Sequence, residues 1–248
     1  MNSLTGKSAL VVGASRGLGR GIAEAFATSG ASVIAVARDA AALRELAASG
    51  PSITAEVADA TDPAIADSLL RRYRPDILAL IAGATPNLAA LHEQTWETFS
   101  INWQTDVRMA FVWLKHALLT PLAPGSRVIV MSSGAALQGS PLSGGYAGAK
   151  ATQRFIAGYA DQESQRGGLG IRVTAVLPRL TPATSLGQPA VAGYAARAGI
   201  SEAEFVRQIG KPVTPASAGD AFVELATRDP ATLSGAYSLS GDGLQSLP

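Results

Sequence analysis

A doubly wound α/β protein is the fold class this sequence predicts, with a mainly seven-stranded parallel sheet and helices on both faces. Three observations lead there. Short apolar runs alternate with longer segments of helical spacing along the 248 residues. The runs are apolar throughout instead of at every second position, as strands are when both faces of a parallel sheet are covered. The first run also passes straight into a glycine-rich turn and then a helix, which is how sheets of this kind commonly open.

The elements follow in order. Ser8–Val12 is the first strand, and Gly17–Ser29, after the glycines, has helical spacing. Ser32–Ala37 is the second strand, and Asp39 reads as the N-cap of a helix at Ala40–Ala48. Ile53–Val57 and Ile77–Ile81 are the third and fourth strands, with a helix at Pro63–Arg72 between them. One long helix is expected at Trp96–Leu119, ahead of a fifth strand at Arg127–Met131. A second long helix covers Gly145–Arg166 before the sixth strand, Ile171–Leu177. Ala216–Thr227 is the last helix and Ala236–Leu239 the seventh strand. Between them and the sixth strand lies an irregular stretch, 178–215, broken by Pro182, Pro189 and Pro212. It leaves the sheet at its carboxyl edge and is expected to form a substrate lid.

Composition bounds the function classes. Roughly 250 residues is a usual length for one α/β body, so 1–248 is read as a single domain. An apolar fraction of 47 % with 16 % charged residues is enough for a buried core and excludes a disordered chain. A net charge of +1 offers no basic field for a nucleic acid or an anionic membrane. The absence of cysteine excludes a disulfide framework, a thiolate nucleophile and a Cys-ligated metal. His92 and His116 are isolated, so no metal site is expected. Met1–Lys7 lacks an export-signal pattern, and no apolar run approaches the roughly 20 residues of a spanning helix, so a cytoplasmic location is the expectation.

Gly13-Ala14-Ser15-Arg16-Gly17-Leu18-Gly19 joins the first strand to the first helix. Glycines at such a turn let the backbone approach a pyrophosphate, which meets the unpaired N–H groups at the helix start. Gly6-Lys7-Ser8 imitates the end of a P-loop but lacks the glycine that motif needs five positions earlier. Where an NAD site carries an acid at the end of the second strand, this chain has Ala37 followed by Arg38. Arg38 can pair with a 2′-phosphate and Arg16 can reach it from the glycine turn, so NADP(H) is the expected cofactor.

Tyr146 and Lys150 stand four apart and share a helix face. A free phenol ionises near pH ~10, too high for efficient proton transfer at neutrality, and a neighbouring ammonium favours the phenolate. Lys150 is one of four lysines beside sixteen arginines, which supports a site role for its compact ammonium. Ser133 lies thirteen residues before Tyr146, at the end of the fifth strand. Ser132 competes with it, and only the spacing to Tyr146 selects Ser133.

Together the glycine turn, Asp59 after the third strand, Ser133, Tyr146, Lys150 and the terminal Gly241-Asp242-Gly243 resemble a classical short-chain dehydrogenase/reductase across essentially the whole chain. The resemblance implies a Rossmann-type domain in which Tyr146 exchanges the substrate proton and Ser133 bonds the reacting oxygen. Lys150 would ease release of the tyrosine proton and hold the nicotinamide ribose. Asp59 would bind the adenine amino group, while Gly13, Ser15, Arg16, Gly17, Leu18 and Gly19 would follow the pyrophosphate and ribose. Gly83 would line the adenine ribose, and Pro178 would lie by the nicotinamide.

Three departures stand out. Leu80-Ile81-Ala82-Gly83 replaces the family's Asn-Asn-Ala-Gly, and Pro178-Arg179 replaces Pro-Gly, which brings a long cation toward the substrate mouth. The family's fourth catalytic residue, an Asn in the long helix, corresponds to Asn102 or to Asp106 one turn later, with Asn102 favoured. The expected function is NADP(H)-dependent reduction of a ketone or aldehyde, reversible as alcohol oxidation. A 3-oxoacyl carrier-protein reductase is a narrower form of it, and a nucleotide-binding sensor or structural subunit is the alternative. A homotetramer is implied through the two long helices, where Ala147, Gly148, Ala149 and Ala151 permit close approach. Trp96, Phe99, Trp103 and Trp113 read as packing or subunit contacts.

Overall fold

The computed structural model describes residues 3–182 and 184–248. Met1, Asn2 and Ala183, which the single-domain and lid expectations include, lie outside the described residues. The strands are β1 (Ser8–Val12), β2 (Ser32–Ala37), β3 (Ile53–Val57), β4 (Ile77–Leu80), β5 (Arg127–Met131), β6 (Arg172–Pro178), β7 (Ala236–Ser240) and β8 (Gly243–Leu247). The helices are α1 (Gly17–Thr28), α2 (Ala40–Ala48), α3 (Pro63–Tyr73), α4 (Trp96–Asn102), α5 (Arg108–Leu119), α6 (Ala135–Gln138), α7 (Tyr146–Arg166), α8 (Gly187–Ala198), α9 (Glu202–Ile209) and α10 (Pro215–Thr227). One sheet runs in the order β3-β2-β1-β4-β5-β6-β7-β8. Every pairing is parallel as far as β7, and β8 returns antiparallel beside it.

The unbroken apolar strands have a direct cause. In β1, Ala9 and Val11 pack on one face with Ile22 and Phe26 of α1, Leu43 of α2 and Phe222 of α10. Leu10 and Val12 pack on the other with Leu70 of α3, Trp113 of α5 and Ala157 of α7. Each face must bury its own residues, so a period of two is apolar at both phases. Asp76 fixes the start of β1, accepting from the Ser8 amide at 2.9 Å and pairing with Lys7 at 3.0 Å.

The structure departs from the sequence expectation in three places. β8 adds an eighth strand: Ser240 pairs with Gly243 across a Gly241-Asp242 turn, and Gly243 takes a φ of 110°. The long helix at 96–119 is interrupted by a π turn, Trp103–Val107, that separates α4 from α5. Residues 178–215 are mostly helical instead of irregular, since α8 and α9 lie there. Pro189 falls in the first turn of α8, where an N–H has no intrahelical partner to lose, and Ser201 caps α9. Among the described residues no helix is long and apolar enough to cross a membrane.

Candidate active site

Strand order reverses between β1 and β4, so the connections leaving their carboxyl ends part and open a crevice. A cavity of about 620 Å³ occupies it. The glycine turn is built for close approach. A Cβ on Gly13, which has a φ of 97°, would lie 2.5 Å from the Ala82 amide nitrogen, and one on Gly19 would lie 2.0 Å from the Gly13 carbonyl oxygen. Those two glycines are required by the turn itself. Gly17 has room for a Cβ, which would meet nothing closer than Thr184 at 3.9 Å, but its φ of 55° lies in the left-handed region that favours glycine. Helix α1 starts with no side-chain cap and no acidic residue in its first turn. Its free N–H groups and the positive end of its dipole therefore stand at the cavity wall beside Ser15, Gly17 and Leu18, where a pyrophosphate fits.

Arg16 and Arg38 are exposed at this end of the cavity and make no ion pair among the described residues. The neighbouring carboxylate, Asp39, caps α2 by accepting from the Ala41 and Ala42 amides at 3.0 Å. Oδ1 of Asp59 accepts from both the amide and the hydroxyl of Thr61 at 2.9 Å, which holds this carboxyl below the usual range, with the Arg38 and Arg108 charges adding to the effect. Gly83 and Pro178 also line the cavity.

At the other end, the residues expected to react come from the end of β5 and from α7. Tyr146 is the first residue of α7. Gly145, before it, lets the chain press onto α4, since a Cβ there would be 2.4 Å from the Phe99 carbonyl oxygen. One turn on, the Lys150 ammonium lies 5.6 Å from the centroid of the Tyr146 ring. Ser132 and Ser133 separate in role. The buried Ser132 hydroxyl donates to the Lys150 carbonyl at 2.7 Å and so ties α7 to the end of β5. The half-buried Ser133 accepts from the Ala135 amide at 3.2 Å and keeps its own O–H to donate into the cavity.

The fourth position is occupied in an unexpected way. Asn102 is buried and absent from the cavity wall, its Nδ2 donating to the Ala84 carbonyl at 2.8 Å and to Oδ1 of Asp106 at 3.2 Å. Asp106 lines the cavity, and its Oδ2 sits 3.0 Å from the Lys150 ammonium. Burial alone would pull that ammonium down, yet the carboxylate, with Tyr146 adding to it, holds it above the ordinary lysine value. Gln153 completes the cluster. It accepts from Lys150 at 2.8 Å and donates to the Asp106 carbonyl at 2.9 Å. Gln153 lies one turn beyond Lys150 on the same helix face, a spacing that could have drawn it from the sequence.

Arg179 is exposed at the cavity rim, as its place after β6 implies, and makes no ion pair among the described residues. Sequence reasoning missed the opposite wall. Tyr194 of α8 hydrogen-bonds the Ser140 hydroxyl, accepts from the Leu142 amide at 3.2 Å and stacks on Phe205 of α9 with centroids 6.3 Å apart. The segment after β6 thus brings two aromatic rings to the mouth.

The pattern that describes the short chain dehydrogenase family matches residues 7–194. The chain belongs to that family. Its relatives within the short-chain dehydrogenases include a 2-keto-3-deoxy-L-fuconate dehydrogenase of Xanthomonas campestris, 36 % identical over 75 % of this chain and 62 % of that protein. A 3-oxoacyl-[acyl-carrier-protein] reductase of Synechocystis is 30 % identical over 72 % of this chain and 75 % of its own length. The first of these matches therefore spans less than two thirds of the relative. Among solved structures, a short-chain dehydrogenase fold from Beutenbergia cavernae superposes with a TM-score of 0.80 at 25 % identity, covering 96 % of this chain and 97 % of that one. It was described as an NAD(P)-dependent gluconate 5-dehydrogenase and holds NADP at low occupancy.

Proposed function

We propose that the protein is an NADP(H)-dependent reductase of a ketone or aldehyde, reversible as an alcohol dehydrogenase. The observation that carries this reading is the convergence of Ser133, Tyr146 and Lys150 on one cavity whose far end offers the uncapped start of α1. A bound nicotinamide cofactor supplies the hydride. Tyr146 gives its phenolic proton to the carbonyl oxygen as charge develops there, and Ser133 donates its O–H to the same oxygen. Lys150 favours the phenolate that is left. The turn from Gly13 to Gly19 and the first N–H groups of α1 would hold the pyrophosphate, and the Asp59 carboxylate would accept from the adenine amino group. A screen of NADPH oxidation against ketones, aldehydes and imines tests the reading. Nucleotide binding without turnover of any of them would favour the sensor or structural alternative.

Arg38 supports the choice of NADP(H), because Asp39, the carboxylate next to it in the chain, is engaged in capping α2. Arg38→Ala should weaken NADPH by about 10- to 100-fold, the worth of one charge-assisted hydrogen bond, and leave NADH nearly unaffected. Equal losses in parallel titrations of both cofactors would show that Arg38 does not read the 2′-phosphate.

Arg179 favours a substrate with a carboxylate or an oxygen-rich end, since a guanidinium at the rim rewards a planar anion. Arg179→Ala is expected to raise KM for carboxylated ketones several-fold more than for neutral ones, with NADPH affinity unchanged. The same relative loss for both substrate classes would leave Arg179 as a surface cation.

The assembly we propose is a homotetramer. Phe111 of α5 and Phe155 and Tyr159 of α7 are 55 %, 58 % and 59 % exposed on adjacent helices, an apolar area that a second copy would cover. Trp113 takes no part, being buried with its indole N–H donating to the Ala60 carbonyl at 2.9 Å. A monomeric mass by light scattering would remove this assembly.

A further inference from the structure

Beside the tyrosine and lysine, the fold has built a third charge into the core. Asp106 is 1 % exposed, and its carboxylate is held from three sides. The Ala84 amide donates to Oδ1 at 2.8 Å, Asn102 donates to the same oxygen at 3.2 Å, and the Lys150 ammonium faces Oδ2 at 3.0 Å. The π turn brings Asp106 to this place, and such interruptions of a helix often mark functional sites. Room for the carboxylate depends on a missing side chain, since a Cβ on Gly83 would come within 2.7 Å of Oδ2.

We propose that Asp106 is a positioning residue that shares the Lys150 ammonium with Tyr146, keeps the phenol protonated to higher pH than lysine alone would allow, and so biases the site toward reduction. The inference rests on Tyr146 being the proton donor of the proposed reductase. With Asp106 ionised, the set of Asp106, Lys150 and Tyr146 has no net charge while the phenol keeps its proton and one negative charge after losing it. Without that carboxylate the same states carry one positive charge and none. Removing the anion therefore favours proton release, whichever member of the coupled tyrosine–lysine pair gives it up. A donor that must protonate a carbonyl oxygen needs its proton in place beforehand, which is what the carboxylate secures. Other charges face Tyr146 across the cavity: Arg179 and Tyr194 at the mouth, and Arg16, Arg38, Asp39 and Asp59 at the nucleotide end. All of them stay constant when only residue 106 changes.

The test is tyrosinate absorbance through a pH titration of the nucleotide-free protein. The corresponding Tyr146→Phe spectrum is subtracted in each background to remove the other four tyrosines. Asp106→Asn should ionise Tyr146 about one pH unit lower or more. Asp106→Ser, also neutral but smaller, gives the same comparison should the amide crowd Lys150. An unchanged or raised midpoint in a folded variant overturns the proposal, because a merely structural carboxylate would alter melting temperature alone. In turnover, the ratio of kcat for alcohol oxidation to kcat for carbonyl reduction, each at saturating substrates and fixed pH, should rise by up to about tenfold for each unit of that shift, with KM values compensating. A shifted titration with no turnover would support the coupling of Asp106 to Tyr146 but sink the reductase reading and with it the bias toward reduction; turnover with an unshifted titration would keep the reductase reading and overturn the inference.

Discussion

Tyr146→Phe should remove turnover while leaving the protein folded and able to bind NADPH. The phenol hydroxyl makes no hydrogen bond to the protein among the described residues, so its deletion strands no partner. The ring stays, and with it the neighbour of the Lys150 ammonium. Stability should therefore change by no more than about 0.5 kcal/mol, as for substitutions away from packed or paired groups. Loss of a positioned general acid lowers kcat by about 10²- to 10⁴-fold. Stopped-flow and steady-state NADPH oxidation measure the rate, and fluorescence titration measures the binding. Retention of more than a few per cent of kcat would overturn the assignment of Tyr146.

How much of this could be read from the sequence depends on whether a residue's role is local. The strands of a doubly covered sheet carry their burial in consecutive residues, so β1, β2, β4, β5 and β6 stood out as largely apolar runs, while the edge strand β3, with Thr54 and Val57 exposed, and β7, with two serines, carried a weaker signal. The Gly13–Gly19 turn and the Tyr146–Lys150 spacing are equally local. β8 was legible too, through Gly241-Asp242 as a two-residue hairpin turn, but that stretch read more readily as a terminal family motif than as a turn between strands. The π turn had no such mark. Nothing in Trp103–Val107 distinguishes it from an ordinary helix, because it is held by tertiary contacts: Gln153 of α7 takes the Asp106 carbonyl, and the loop after β4 takes the carboxylate.

That hidden turn is why the fourth position stayed open between two residues. On a regular helix Asn102 and Asp106 share a face, and residue type alone argues for the asparagine. In the structure one supports the other, with the Asn102 amide holding Asp106 and Asp106 reaching Lys150. The segment 178–215 failed for a related reason. Its prolines resemble breakers, yet Pro189 and Pro215 sit in first turns of helices, where proline is tolerated.

Lys150→Met is expected to be the most destabilising single change at this site as well as an inactivating one. The Lys150 side chain is 6 % exposed and Asp106 is 1 % exposed, so removing the ammonium leaves an anion in the core with only the Ala84 amide and Asn102 to hold it. Breaking a buried pair by deleting one partner costs about 3–5 kcal/mol, which for a chain of this size lowers Tm by roughly 10 °C. The sign with pH follows from the raised value of the folded lysine. Its stabilisation is complete below the unfolded value of about 10.4 and is lost only as pH rises through the higher folded value, so the wild-type contribution should stay flat across neutral pH. Lys150→Met combined with Asp106→Asn removes the stranded charge and should recover much of the lost Tm without restoring turnover, since the ammonium beside Tyr146 is still missing. Calorimetry of the two single variants and the double one yields the coupling between them. Strictly additive Tm losses would mean that the two side chains, 3.0 Å apart, do not act as a pair.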